Sequence, residues 1–358
     1  MAVRIIDTHN LENIAMGAAV LGTGGGGDPY VGKLMAMAAI EKYGPVTLLS
    51  PDEVGDDDWT VAASMMGAPS VMIEKIPSGT EVIRAFEAIR DYSQKEIKAL
   101  YPIEVGGVNS VVPIVLGAMT GLPIVDIDGM GRAFPEAQMV TFHLAGKQSA
   151  PMSIADEKGN TLIVNGTESI WNERIGRAAL IAMGGSVMTC DYLMQGRDLK
   201  ASGIHNTLTL AENIGEKVHS LRRQNQNPIT ALLDVLGGKL LFEGKISNLL
   251  RRNTGGFTKG EAYFDGINSY QGKRAMIGFQ NEFLVAKVDD EIVTTTPDLI
   301  TALDLETGFP ITTEVLRYGS RVALIAIPCD PKWRTEKGIQ VAGPRYFGYD
   351  IDYTPLSV

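Results

Sequence analysis

The stretch Ile124-Val125-Asp126-Ile127-Asp128-Gly129-Met130-Gly131-Arg132-Ala133-Phe134-Pro135-Glu136 passes from an apolar segment straight into carboxylates, glycines, an arginine and a proline. Packing alone selects no such mixture, and it reads as the end of a buried strand that opens into a reactive loop. Asp126 and Asp128 stand two apart, so strand geometry projects them to one face. For any single residue the plainer reading is a charged turn in which Gly129 and Gly131 supply unusual dihedrals. Taken together, Asp126, Asp128, Arg132 and Glu136 are the candidate catalytic set.

Upstream of this stretch, Asn10 is placed to cap a helix whose residues Leu11, Ile14, Ala15, Ala18 and Leu21 form one apolar stripe. The helix stops at Gly22-Thr23-Gly24-Gly25-Gly26-Gly27, and Asp28-Pro29 reads as the cap and first position of a second helix running to about Tyr43. A phosphate-binding loop needs a strand before its glycines and a bare helix N-terminus after them. Here a helix precedes, and a capping aspartate would repel phosphate. Close approach of this backbone to a small ligand or a neighbouring chain suits the glycines better.

Val46–Leu49 and Trp59–Met65 are β-prone, and a helix is expected from about Glu81 to Leu100. Strand-like Ile103–Val105, an apolar helix from Val111 to Met119 and strand Leu122–Val125 lead back to the opening stretch. Strands alternating with helices in units of this size predict an α/β fold with a parallel or mixed sheet flanked by helices. In such sheets ligands bind beyond the carboxyl ends of the strands. Three successive ends carry unusual residues: Gly67-Ala68-Pro69, then Gly106-Gly107 with Asn109-Ser110, then Asp126 and Asp128 with Arg132. Gly67, Gly106, Gly107, Asn109 and Ser110 are therefore candidate substrate contacts.

Met139–Leu144 and Met152–Asn165 read as further strands, the first carrying His143 in an apolar run, and Glu168–Met183 as a helix. A domain boundary is expected near residue 180. Residues 1–180 form the α/β domain carrying the site, and residues 181–358 a helical connection followed by a mostly β domain of short strands such as Lys239–Phe242 and Ile246–Leu250. Near the end of that domain, Arg345, among aromatic and glycine residues, is a further candidate ligand contact.

Composition narrows the chemistry. The 358 residues carry a formal charge of −10, with 45% hydrophobic and 21% charged residues, which suits an ordinary core and gives nucleic acid no basic footprint. No apolar run reaches membrane-spanning length, and the first residues lack a signal-peptide core, so a cytoplasmic protein without a membrane partner is expected. Two cysteines, Cys190 and Cys329, make no CxxC pair, and buried thiols are usually inert. The four histidines make no His-x-x-x-His pair, although Asp126, Asp128 and His143 can be assembled into a site for a divalent metal such as zinc. No Gly-x-Ser-x-Gly elbow is present, which leaves acid–base catalysis by paired carboxylates, with Arg132 holding an anionic intermediate or a substrate carboxylate.

Several motifs in order, Leu21–Pro29, Asp126–Glu136, Phe279-Gln280-Asn281-Glu282, Thr296-Pro297-Asp298-Leu299-Ile300 and Gly343–Asp350, resemble those of the S-methyl thiohydantoin desulfurase family. The resemblance spans nearly the whole chain. It implies an α/β N-terminal domain joined to a largely β C-terminal domain, and hydrolytic loss of methanethiol from an S-methyl thiohydantoin ring. It also implies an association with hydantoinase- or oxoprolinase-type proteins, and a homo-oligomer is expected. Two other readings stay open: a hydrolase of another cyclic amide, such as a hydantoin or oxoproline, and a non-catalytic partner of a hydantoinase.

Overall fold

The computed structural model describes residues 4–68, 71, 74, 75 and 77–356; Pro69 and residues 1–3, used in the sequence reading, lie outside the described residues. The first half supplies strands β1 (Arg4–Ile6), β2 (Val46–Leu49), β3 (Trp59–Gly67), β4 (Ile97–Pro102), β5 (Ile124–Val125), β6 (Ile127–Asp128), β7 (Met152–Ala155), β8 (Thr161–Val164), β9 (Ser186–Gln195) and β10 (Ile204–His205). Around them lie helices α1 (Thr8–Leu21), α2 (Pro29–Tyr43), α3 (Glu81–Ser93), α4 (Val112–Thr120), α5 (Thr141–Leu144), α6 (Ser169–Ala182), α7 (Gly196–Ser202), α8 (Thr207–Arg223) and α9 (Ile229–Leu236). The main sheet has the order β1-β2-β5-β4-β3-β9-β7-β8. Strands β2, β5, β4 and β3 are parallel, while β9 runs antiparallel between β3 and β7, so the sheet is mixed. The carboxyl ends of β3, β4 and β5 share one edge, as expected of consecutive parallel strands.

The remainder is an eight-stranded antiparallel sheet, β15-β14-β13-β12-β11-β18-β16-β17. Its strands are β11 (Lys239–Thr254), β12 (Phe257–Gly266), β13 (Arg274–Gln280), β14 (Glu282–Val288), β15 (Glu291–Thr295), β16 (Leu299–Asp304), β17 (Pro310–Ile311) and β18 (Arg321–Ile327), followed by helix α10 (Glu336–Ala342). The chain thus combines a mixed α/β sheet domain with a mostly antiparallel β domain. Among the described residues no helix is long and apolar enough to cross a membrane.

Local chemistry explains where elements differ from expectation. Helix α1 is capped by Asp7, not Asn10: the Asp7 carboxylate accepts from His9 N and Asn10 N, and the Asn10 side chain accepts from Asp7 N. Helix α3 ends at Ser93 because Gln94 turns left-handed with φ 55°, which frees Ile97–Pro102 to pair with β3. The apolar residues Ile97 and Leu100, read as a continuation of that helix, fit either period. The strand expected at Met139–Leu144 is absent, and Thr141–Leu144 instead form a single helical turn, α5, in which His143 N and Leu144 N donate to Val140 O. The separate strands expected at Lys239–Phe242 and Ile246–Leu250 are one long strand, β11, with register shifts at Leu240/Phe242 and Ile246/Asn248.

The two sheets meet across α1. Leu11, Ile14, Ala15, Ala18 and Leu21 are all buried, and Ala18 and Leu21 belong to the same core cluster as Leu299, Leu303 and Ile325 of the second sheet. On its other side α1 crosses α8 so closely that a methyl on Gly17 would overlap the Ala211 carbonyl, and one on Gly215 the Asn13 carbonyl. Glycine on both helices permits that approach.

The glycine loop after α1 is clamped by the second sheet: Phe283 N donates to Thr23 O at 2.7 Å and Thr313 N to Gly24 O at 2.8 Å. The Asp28 carboxylate caps α2 through Tyr30 N at 2.8 Å. Arg132 completes the junction. Its side chain is fully buried and uses all five N–H groups: Nε donates to Ala133 O, Nη1 to Pro297 O and Asp298 O at 2.8 and 2.9 Å, and Nη2 to the Thr23 hydroxyl and Phe283 O. Replacing it with methionine keeps the bulk and strands those acceptors in the core. Arg132→Met is expected to destabilise the fold by about 3–5 kcal/mol, read as a lower urea midpoint at unchanged m-value.

A candidate active site between the sheets

A cavity of about 70 Å³ lies beyond the carboxyl ends of β3 and β4, where the glycine loop and the second sheet close over them. That volume holds several waters, or a small ring in their place. Its floor is the β3–β9 pair, where Ser64 Oγ and Thr189 Oγ1 hydrogen-bond at 2.8 Å. Two residues beyond Thr189, on the same face of β9, is Asp191. Glu104 enters from the segment after β4, Glu173 and Arg177 from α6, and Glu282 from the second sheet. The tight turn at Asn281, φ 58°, connects β13 to β14 and delivers Glu282. A methyl at Gly25 would overlap the Glu282 carboxylate, so the glycine loop is thin in order to admit this side chain. The close approach expected of that loop is made to the protein's own glutamate.

Five carboxylates therefore line one small space, Glu104, Glu136, Glu173, Asp191 and Glu282, with Arg177 as the cation among them. Burial dominates the titration of Glu104, Glu173, Asp191 and Glu282. It pushes Glu104 up to about 7, against the pull of Asn109 Nδ2 at 2.6 Å, Phe134 N at 3.1 Å and the charge of Arg132. Asp191 rises to about 8 through burial and then the nearby charge of Glu173; its Oδ1 has no hydrogen-bond partner among the described residues. Glu282 is raised well above the carboxylate range by burial and by Glu104, and its Oε2 is likewise unpartnered. Glu173 is raised by burial even though Arg177 is bonded to it four residues on. At neutral pH the cavity thus holds a largely protonated Asp191 and a partly ionised Glu104.

The opening stretch divides between support and site. Glu136 lines the cavity and accepts from the Tyr346 hydroxyl at 2.7 Å and from Gln138 Nε2 at 2.5 Å. Asp126 and Asp128, expected on one face with different jobs, are engaged with different parts of the fold. Asp126 accepts from Leu208 N, Thr209 N and the Thr209 hydroxyl, capping α8 from outside because the side chain of Asn206, at the cap position, makes no capping bond. Asp128 gathers Val105 N, Met130 N and Gly131 N, holding the loop closed. Arg132, expected to hold an anion, has every donor occupied by protein oxygens.

The metal set does not come together either. Asp126 and Asp128 are committed to backbone amides and His143 sits on α5; among the described residues, no three His, Cys, Asp or Glu side chains are grouped to hold a metal ion. Arg345 pairs with Asp350 and Asp352 at the surface, away from the cavity lining.

Among the expected substrate contacts, Gly67 and Asn109 line the cavity. Asn109 is fixed there by Met65 N at 2.6 Å and orients Glu104. Gly106 and Gly107 pack against the glycine loop, where Val108 N donates to Gly26 O at 2.7 Å, and Ser110 is buried with its hydroxyl unpartnered among the described residues. Sequence reading missed Glu104, Glu173, Arg177, Asp191 and Glu282 as site residues. A signal existed for Glu104 and Asp191, since each is an acidic residue inside an apolar strand-like run, Ile103-Glu104-Val105 and Val187–Leu193. Glu173 and Arg177 look like any solvated i, i+4 pair on a helix.

Comparison with known families matches residues 9–166 to the S-Me-THD-like N-terminal domain and residues 167–356 to the S-Me-THD-like C-terminal domain. Among solved structures, the X-ray crystal structure of a protein from Chromobacterium violaceum shares the fold. It is 23% identical with a TM-score of 0.83, over 99% of this chain and 100% of that one. No curated protein matches the chain.

The raised carboxyls make stability depend on pH. Glu104 and Asp191 keep protons up to about 7 and about 8 in the folded protein, whereas the unfolded chain releases them near the ordinary values of 4.5 and 3.8. Their neutral forms therefore favour the fold fully below about pH 4, and that advantage is lost as pH rises to about 8. Asp191→Asn is expected to flatten this decline and add roughly 1–3 kcal/mol at the upper end, measured by urea unfolding across the window.

Proposed function

Since the chain belongs to the S-Me-THD-like family, that of the S-methyl thiohydantoin desulfurases, we propose that it hydrolyses the carbon–sulfur bond of S-methyl thiohydantoins in the cavity between its sheets. The observation that carries this reading is that one cavity is lined by both Glu104, poised at about 7, and Asp191, poised at about 8 and bearing an oxygen unpartnered among the described residues. A base partly ionised at neutrality and an acid still protonated there are what water addition to a C=N bond needs.

In this reading the ring carbon that bears the methylthio group lies between the two. Ionised Glu104 takes a proton from water as its oxygen bonds to that carbon, and Asp191 gives its proton to the ring nitrogen. The intermediate is tetrahedral and neutral, with hydroxyl, methylthio and ring N–H on one carbon. Collapse returns the hydroxyl proton to Asp191 and forms the carbonyl. The carbon–sulfur bond breaks, sulfur takes the proton held by Glu104, and methanethiol and a hydantoin leave with both carboxyls restored. Glu282, neutral through burial, spares the cavity a further negative charge and is a hydrogen-bond donor to the substrate. Asn109 holds Glu104 in place through its amide.

The test is thiol release from S-methyl thiohydantoins, followed with a thiol-reactive dye and with identification of the ring product. Wild-type protein is expected to give equal amounts of methanethiol and intact hydantoin. Glu104→Gln and Asp191→Asn are each expected to lower kcat by about 10²–10⁴-fold, and Asp126→Asn, far from the chemistry, by much less. Ring opening without thiol would instead identify a hydrolase of another cyclic amide.

A further inference from the structure

The carboxylate cavity is lined by as many methionines, Met65, Met66, Met130 and Met152, as glutamates. The acid–base chemistry uses none of the thioethers, yet two of them lie beside the reacting pair. Met66 follows Met65, whose N donates to Asn109 Oδ1 at 2.6 Å and whose carbonyl accepts from Asn109 Nδ2 at 3.3 Å. The same Nδ2 donates to Glu104 at 2.6 Å, so Met66 stands next to the support of that carboxyl. Because Ser64 pairs with Thr189, Met66 shares the sheet face that carries Asp191. Met152 opens β7 next to the Ser153–Cys190 pair and lies on that face too. The two side chains converge on Gly176 of α6, where an added methyl would stand 2.6 Å from Met152 Cε and 3.7 Å from Met66 Cε. Glycine inside a helix costs stability, and here it leaves room for both thioethers.

A methylthio-substituted ring is polar along its nitrogens and carbonyl and apolar at the methylthio group. With the carbon that bears this group between Glu104 and Asp191, the group starts one bond from the reacting centre, and the apolar wall beside both carboxyls is Met66 and Met152. Methionine is flexible and polarizable, and moulds to a small apolar group. We propose that Met66 and Met152 form the pocket for the methylthio leaving group and restrict the departing thiol to a very short alkyl chain. This rests on reading the cavity as the ring site. A cavity of about 70 Å³ that also holds the ring leaves little length for that chain. The two methionines touch the leaving group without handling a proton, so they decide which thioether is accepted and leave the acid–base pair unaltered.

The experiment compares kcat/KM for S-methyl and S-propyl thiohydantoins with the same ring substituent, each divided by the rate of alkaline hydrolysis of the same compound. Wild-type protein is expected to favour S-methyl by ~10-fold or more. Met152→Ala, which lengthens the pocket, is expected to raise the S-propyl to S-methyl ratio at least ~10-fold. Met66→Ala, at the more exposed of the two positions, carries the same comparison if Met152→Ala does not fold. Methionines that only fill the core would lower both rates together. Such uniform losses, or no preference in the wild type, overturn the pocket while leaving the desulfurase reading intact. If neither compound releases thiol, that reading fails, and calorimetry with the methylthio and propylthio rings decides the pocket. Tighter binding of the methylthio ring that Met152→Ala or Met66→Ala reverses supports it; equal binding of the two, or none, overturns it.

Discussion

One guanidinium holds the two halves of this protein in register. Arg132 belongs to the loop after β6, yet four of its five hydrogen bonds go to the glycine loop and the second sheet. Burial lowers its pKa to about 10, so it remains a cation at neutral pH. A charge in that position is tolerable only because each donor meets an oxygen and the Phe134 ring lies 4.2 Å from its centre. Those same bonds fix Thr23 and Phe283, between which the glycine loop and Glu282 are placed. The geometry of the cavity is therefore inherited from a contact that does not line it.

The cavity accumulates carboxyls where a fold built only for stability would put apolar groups. Protons held on Glu104 and Asp191 reduce the cost of burial, and the hydrogen bonds from Asn109, Phe134 N and Ala137 N orient Glu104 and Glu173. Two oxygens, on Asp191 and Glu282, are left without partners among the described residues. Unsatisfied buried acceptors are expensive, and their concentration around one space fits groups that await a ligand.

The architecture was largely legible in the sequence. Alternating strand and helix periods gave the α/β half, the turn-rich remainder gave the β half, and Asp28-Pro29 marked a helix start that the structure contains. Boundaries failed where one residue decided them, as at Gln94, whose left-handed turn ends α3 before the apolar residues run out. The site was less legible. The conspicuous charges Asp126, Asp128 and Arg132 satisfy backbone groups, a use that residue type cannot distinguish from catalysis. Glu136 and Asn109 do line the cavity. Asp191 and Glu282 come close to them only through the antiparallel insertion of β9 and the packing of the β13–β14 turn against the first sheet, long-range placements that no local pattern encodes.

Strand β9 carries a consequence for the order of events in folding. It lies between β3 and β7, so about 120 residues separate it from its β3 partner in the chain. During synthesis Glu104 emerges well before Asp191, and Asp191 well before Glu282. Pairings of such long reach form slowly, and until they form these carboxyls remain in water, ionised and ordinary. The tuned acidity is thus a property of the last docking step, and a partly made chain carries the right residues without their chemistry.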